Sequence, residues 1–164
     1  MVHQLTRLTM QRQFLLALTL VVLPMTSPAQ SVRRINPPTL SAPTGYTHVT
    51  VGSDGRTVHV AGQVSLDPSG QVVGTGNFGE QVTRVFENLR LALASVGATF
   101  DDVLSTTTYV TDLSQLAAFR EARNRLLRPE QLPANTLVQV VGLARPEFLI
   151  EISATAMLRA PLHD

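Results

Sequence analysis

The chain has 164 residues, 44% hydrophobic and 15% charged, with 13 basic against 12 acidic residues and a net charge of +1. That length suits one domain, and the near-neutral balance offers no electrostatic footprint for nucleic acid or anionic lipid. There is no Cys and no Trp, and every basic residue is Arg; this excludes a thiol nucleophile, a disulfide framework, a cysteine metal site and a lysine Schiff base.

The apolar excess is concentrated at the N-terminus. Arg7 and Arg12 precede the apolar run 14–25, followed by Thr26-Ser27-Pro28-Ala29-Gln30. A basic start, a short apolar middle and small residues at the end form the layout of a secretory signal. Cleavage after Ala29 is expected, making 1–29 a signal peptide and the protein exported, to a periplasm or the exterior, with no membrane contact afterwards. Met10 is an alternative start within the same layout. A membrane anchor is the competing reading, but the run falls short of the roughly 20 residues that span a bilayer. Loss of Arg7 and Arg12 brings the net charge to about −1 by the same counting.

Residues 30–45 carry three prolines and several small polar residues, read as an extended arm or linker. Residues 46–51 (YTHVTV) alternate as a strand. Gly52-Ser53-Asp54-Gly55 is turn chemistry, and 57–64 (TVHVAGQV) reads as the returning strand of a hairpin. In 77–96, Phe78, Val82, Val85, Phe86, Leu89, Leu93 and Val96 recur at helical spacing, with Asn77 as N-cap, Glu80 three residues on and Gly97 as the stop. Residues 103–111 (VLSTTTYVT) read as a strand. Asp112 and Ser114 are capping candidates for a second helix over 116–127, with Leu116, Phe119, Ala122 or Arg123, and Leu126 on one stripe.

The stretch 133–156 supplies two more strands, 136–143 and 148–157, joined by Ala144-Arg145-Pro146-Glu147. Glu151 lies between Ile150 and Ile152, so it faces away from the core that the isoleucines enter. Two readings stand: a solvated outer face, or a carboxylate lining a pocket between subunits. The element order β-β-α-β-α-β-β predicts an α+β fold, one mixed sheet with two helices on one face, the domain filling 46–160 before a short tail at 161–164. Tyr109, Thr111, Gln139 and Glu151 give the opposite face a mixed polarity suited to a subunit interface.

Tyr46, Ala61-Gly62-Gln63, Thr107-Thr108-Tyr109-Val110-Thr111-Asp112-Leu113, Pro133-Ala134-Asn135-Thr136 and Ile150-Glu151-Ile152 occur in an order and spacing that resemble the reactive-intermediate-deaminase (Rid, YjgF-like) family, over roughly residues 35–158. The resemblance implies a chorismate-mutase-like fold and a homotrimer with small-molecule pockets at its subunit interfaces. It also implies hydrolysis of 2-imino or enamino acids to 2-keto acids and ammonia without metal or organic cofactor. Carried over, Glu151 and Tyr46 become candidate catalytic groups, and Gly62, Ala61, Asn135, Leu137 and Arg120 candidate substrate-binding groups.

The match is partial. Asn135 stands where the family pattern has a pocket arginine, Leu137 where it often has Cys, Ala61 where it has Ser, and Arg120 where it often has Asn. A guanidinium holds a carboxylate through two charged hydrogen bonds, whereas an amide donates without charge. Arg120 is one place to which the cation could have moved; a solvated helix residue is the other reading of it. Two functions therefore compete: an exported imine or enamine deaminase, and a trimeric small-ligand-binding protein without chemistry. His48 and His59 fall short of the three or four ligands of a metal site, and Gly74-Thr75-Gly76 lacks the phosphate-loop pattern.

Overall fold

The computed structural model describes residues 32–39, 42–43, 46–52 and 55–159. The expected signal segment and the tail lie outside them. The elements are strands β1 (Arg33–Ile35), β2 (Val49–Val51) and β3 (Gly55–Gln63), helix α1 (Phe78–Ala94), strand β4 (Val103–Val110), helix α2 (Leu116–Leu126), and strands β5 (Ala134–Gln139) and β6 (Ile150–Arg159).

Two helices pack on one face of a mixed four-stranded sheet ordered β3-β6-β4-β5, the expected α+β arrangement. Only β4 and β5 run parallel. The pairing differs from the expected hairpin of residues 46–51 with 57–64. β2 pairs with β1 in a separate two-stranded sheet, so it is not the partner of β3. β4 lies between β5 and β6, so these two strands, consecutive in the chain, do not touch as a hairpin. β5 also stops at Gln139, four residues early, and Val141 is fully exposed in the connection.

The core follows from periodicity. Phe78, Val82, Val85, Phe86, Leu89 and Leu93 of α1 are buried against Val60 of β3, Val103 and Val110 of β4, and Ile150, Ile152, Ala154 and Ala156 of β6. Val96, expected on the same stripe, is exposed because the helix has already ended and Gly97 turns the chain at φ +79°. The Asn77 side chain accepts a hydrogen bond from the Glu80 N–H at 3.1 Å, satisfying one of the first-turn donors. Asn77→Ala is expected to cost about 1 kcal/mol, read as a lower urea midpoint with an unchanged slope.

Two side-chain bonds dock the N-terminal strands. The Thr50 hydroxyl donates to the Leu104 carbonyl at 2.8 Å, and the Thr47 hydroxyl donates to the Leu132 carbonyl at 2.7 Å. Thr47 also donates its backbone N–H to Pro133 O at 3.1 Å, which brings Tyr46 to the start of β5.

Candidate active site

Strand register decides where the candidate residues sit. β4 and β6 pair Thr108 with Ile152, Tyr109 with Glu151 and Val110 with Ile150. Ile150 and Ile152 are fully buried under the helices, so alternation sends Glu151 and Tyr109 to the opposite, open face, where both are half-buried. Parallel pairing sets Asn135 beside Thr106 and Leu137 beside Thr108 on the helix side. Asn135 and Glu151 therefore lie on opposite faces of one sheet.

A bulge shapes the neighbourhood of Glu151. On β3, Val60 pairs with Ala154 and Gln63 with Ile152, so Ala61 and Gly62 share the space opposite one residue of β6. Both are exposed. The Glu151 carboxylate lies directly over Gly62: a Cβ at position 62 would collide with Oε1 of Glu151. Here the absence of a side chain, and not a positive φ, is what the site requires.

Asn135 lines two adjoining spaces. One is a shallow groove at the sheet edge formed with Tyr46, His48, Ser105, Thr107 and Thr136. Tyr46 meets His48 edge-on, ring centroids 5.1 Å apart. The other is a narrow cleft between the sheet and α2, lined by Phe86, Phe119, Arg123, Leu132 and Thr108, among others. Thr106 also lines both spaces. The Asn135 amide nitrogen donates to the Thr106 hydroxyl at 2.8 Å and to the Thr108 hydroxyl at 3.1 Å. Its donors are thus engaged within the fold.

Of the arginines on α2, Arg120 is exposed, whereas Arg123 is only 7% exposed and lines the cleft beside Asn135. Its guanidinium lies over the Phe119 ring, 5.6 Å from the centroid, and its Nη2 donates to Asn124 Oδ1 at 2.9 Å. Burial pulls its pKa down, and the positive charge of Arg120 adds to that. Leu137 packs against the hydrophobic core. The structure therefore gathers Tyr46 with Asn135, and Gly62 with Glu151, as two separate groups. Among the described residues no three His, Asp or Glu side chains gather in a way that could hold a metal ion.

The two-layer fold belongs to a recognisable group of proteins. The profile of the family described as Endoribonuclease L-PSP matches residues 38–158. The chain belongs to this family. A crystal structure of a Rid-family protein from Yersinia pestis superposes with a TM-score of 0.72 at 38% identity, covering 78% of this chain and 99% of that one. A RutC family protein of Pyrococcus abyssi is 35% identical over 62% of this chain and 79% of its own length. The 2-iminobutanoate/2-iminopropanoate deaminase of Mus musculus is 31% identical over 62% of this chain and 74% of its own. The 3-aminoacrylate deaminase RutC of Acinetobacter baylyi is 32% identical over 60% and 77%. The chain is thus a member of the Rid/YjgF family with the chorismate-mutase-like fold, and its relatives include imine and enamine deaminases.

Proposed function

We propose that this protein hydrolyses a small reactive imine or enamine to the carbonyl compound and ammonia. The observation that carries the reading is Glu151, a half-buried carboxylate held over the bare backbone of Gly62 on the open face of the sheet, paired with Tyr109. Water attack on a C=N carbon needs a group that takes a proton from the water and returns one to the departing nitrogen, and a positioned carboxylate does both. Tyr46, in the groove with Asn135, donates a hydrogen bond to the bound substrate.

The proposal includes a site completed by a second copy, in a homotrimer. Its support is that Glu151 and Asn135 face opposite ways in one chain and that the open face exposes Val138. It also includes export, supported by the basic start and apolar run of 1–29; a chain recovered outside the cytoplasm and beginning at Gln30 would agree with it.

Asn135 favours a second reading, a trimeric small-ligand-binding protein, because its amide donors are engaged by Thr106 and Thr108. Freshly generated 2-iminobutanoate separates the two. Ammonia and 2-oxobutanoate released above the uncatalysed rate support hydrolysis. Saturable binding of 2-oxobutanoate without release supports the binding protein, and gain of turnover on Asn135→Arg would point the same way.

A further inference from the structure

The groove beside β5 is built from neutral hydrogen-bonding groups. Tyr46, His48, Ser105, Thr107, Asn135 and Thr136 line it, its volume is about 250 Å³, and among the described residues the imidazole is the one lining group able to take up a positive charge. The sheet around the groove adds negative charge and no positive charge. Over β4, β5 and residues 150–157 the only charged residue is Glu151. Thr107 lies two residues from Tyr109 on the same face of β4, about 7 Å at the rise of a strand, and Tyr109 pairs with Glu151. The hydrolytic reading needs Glu151 ionised, so that it can take the proton from water. A carboxylate entering the groove would meet that charge with no cation to offset it.

Resting on the hydrolytic reading above, we infer that the substrate carries a neutral hydrogen-bonding group, a carboxamide or a hydroxyl, where 2-iminobutanoate and 3-aminoacrylate carry a carboxylate, and that Asn135 reads this group through its carbonyl oxygen. The Asn135 amide nitrogen is used by the Thr106 and Thr108 hydroxyls, and no described hydrogen bond uses its Oδ1. An oxygen acceptor repels a carboxylate oxygen and receives the N–H of an amide or the O–H of an alcohol. Taking a carboxylate out of water without a cation is costly, whereas an amide that exchanges water for hydroxyl and amide partners loses little. The arginines of α2 do not change this balance. Arg123 donates to Asn124 and lies over Phe119, in a cleft of about 20 Å³ with room for about one water. Arg120 is exposed in the helix layer, across the sheet from Glu151.

The test compares ligands as well as variants. Calorimetric titration of the whole protein at pH 8, where an ordinary imidazole is neutral, sets 2-oxobutanamide against 2-oxobutanoate. The amide is expected to bind at least about tenfold more tightly. Asn135→Leu is expected to remove most of that preference, and Arg120→Met to keep it. Equal binding, tighter binding of the acid, or no binding of the amide by the wild type overturns the inference, and none of these needs a variant that must fold. A preference kept at full size in Asn135→Leu overturns it as well. The two proposals fail separately. Amide-selective binding with no ammonia released from freshly generated 2-iminobutanoate or 2-iminobutanamide sinks the hydrolytic reading alone. Ammonia release from 2-iminobutanoate that 2-oxobutanoate inhibits at lower concentration than 2-oxobutanamide does sinks this inference alone.

Discussion

Glu151→Gln is expected to lower kcat for 2-iminobutanoate hydrolysis by about 10²–10⁴-fold, the usual contribution of a positioned acid–base group. KM should change little. Glutamine keeps the length and shape that lie over Gly62, so packing is retained while the carboxylate that accepts and returns a proton is lost. No ion pair of the described residues involves Glu151, so stability should move by no more than about 0.5 kcal/mol. The loss would therefore be chemical. Gly62→Ala gives an independent check: the added methyl must push the Glu151 carboxylate aside, and an activity loss of about tenfold or more at unchanged melting temperature is expected. Wild-type kcat in Glu151→Gln would remove Glu151 from the mechanism. Initial rates of ammonia release, with circular dichroism melting on the same samples, decide the matter.

How much of this was readable beforehand depends on the range of the interaction. α1 was legible because its stripe, cap and stop are all local, and Phe78 through Leu93 are buried as the spacing predicts. The facing of Glu151 was legible for the same reason, since alternation along a strand needs no partner. Strand pairing was not. Residues 46–51 and 57–64 each alternate well, and nothing in either says that β2 finds Arg33–Ile35, three residues without a pattern, as its partner. Nor does the loop between β5 and β6 reveal that β4 will lie between them. Arg123 was half-visible. It falls on the apolar stripe with Leu116 and Phe119, in helical phase with the core, whereas Arg120 does not. An arginine in phase with buried residues is the signal, and it is weak because long charged side chains commonly reach back out to water.

Gln81 escaped notice for a related reason, and it carries the largest stability effect we expect. It interrupts the apolar stripe of α1, yet it is fully buried. Its Nε2 donates to the Glu147 carbonyl at 2.8 Å and to the Gly74 carbonyl at 3.2 Å, and its Oε1 accepts from the Leu149 N–H at 2.9 Å. One side chain thus joins the turn before α1, where the Gly74 carbonyl also accepts from the Asn77 N–H, to the segment that leads into β6, where the Leu149 carbonyl accepts from the Thr111 N–H. Gln81→Leu keeps a similar volume but leaves three backbone groups without that partner. An unsatisfied buried group costs about 1–3 kcal/mol, and Glu147 is exposed enough for water to replace part of the loss. A net destabilisation of about 2–4 kcal/mol is expected on those figures, read from the urea midpoint. The effect should also be directional. Leu149 lies two residues before Glu151, so freeing its N–H loosens the start of β6, and the Leu149 amide should exchange hydrogen faster than the amides of α1. If the midpoint moves by less than about 0.5 kcal/mol, water has taken over all three bonds, and the positioning of Glu151 rests on the β4–β6 ladder alone.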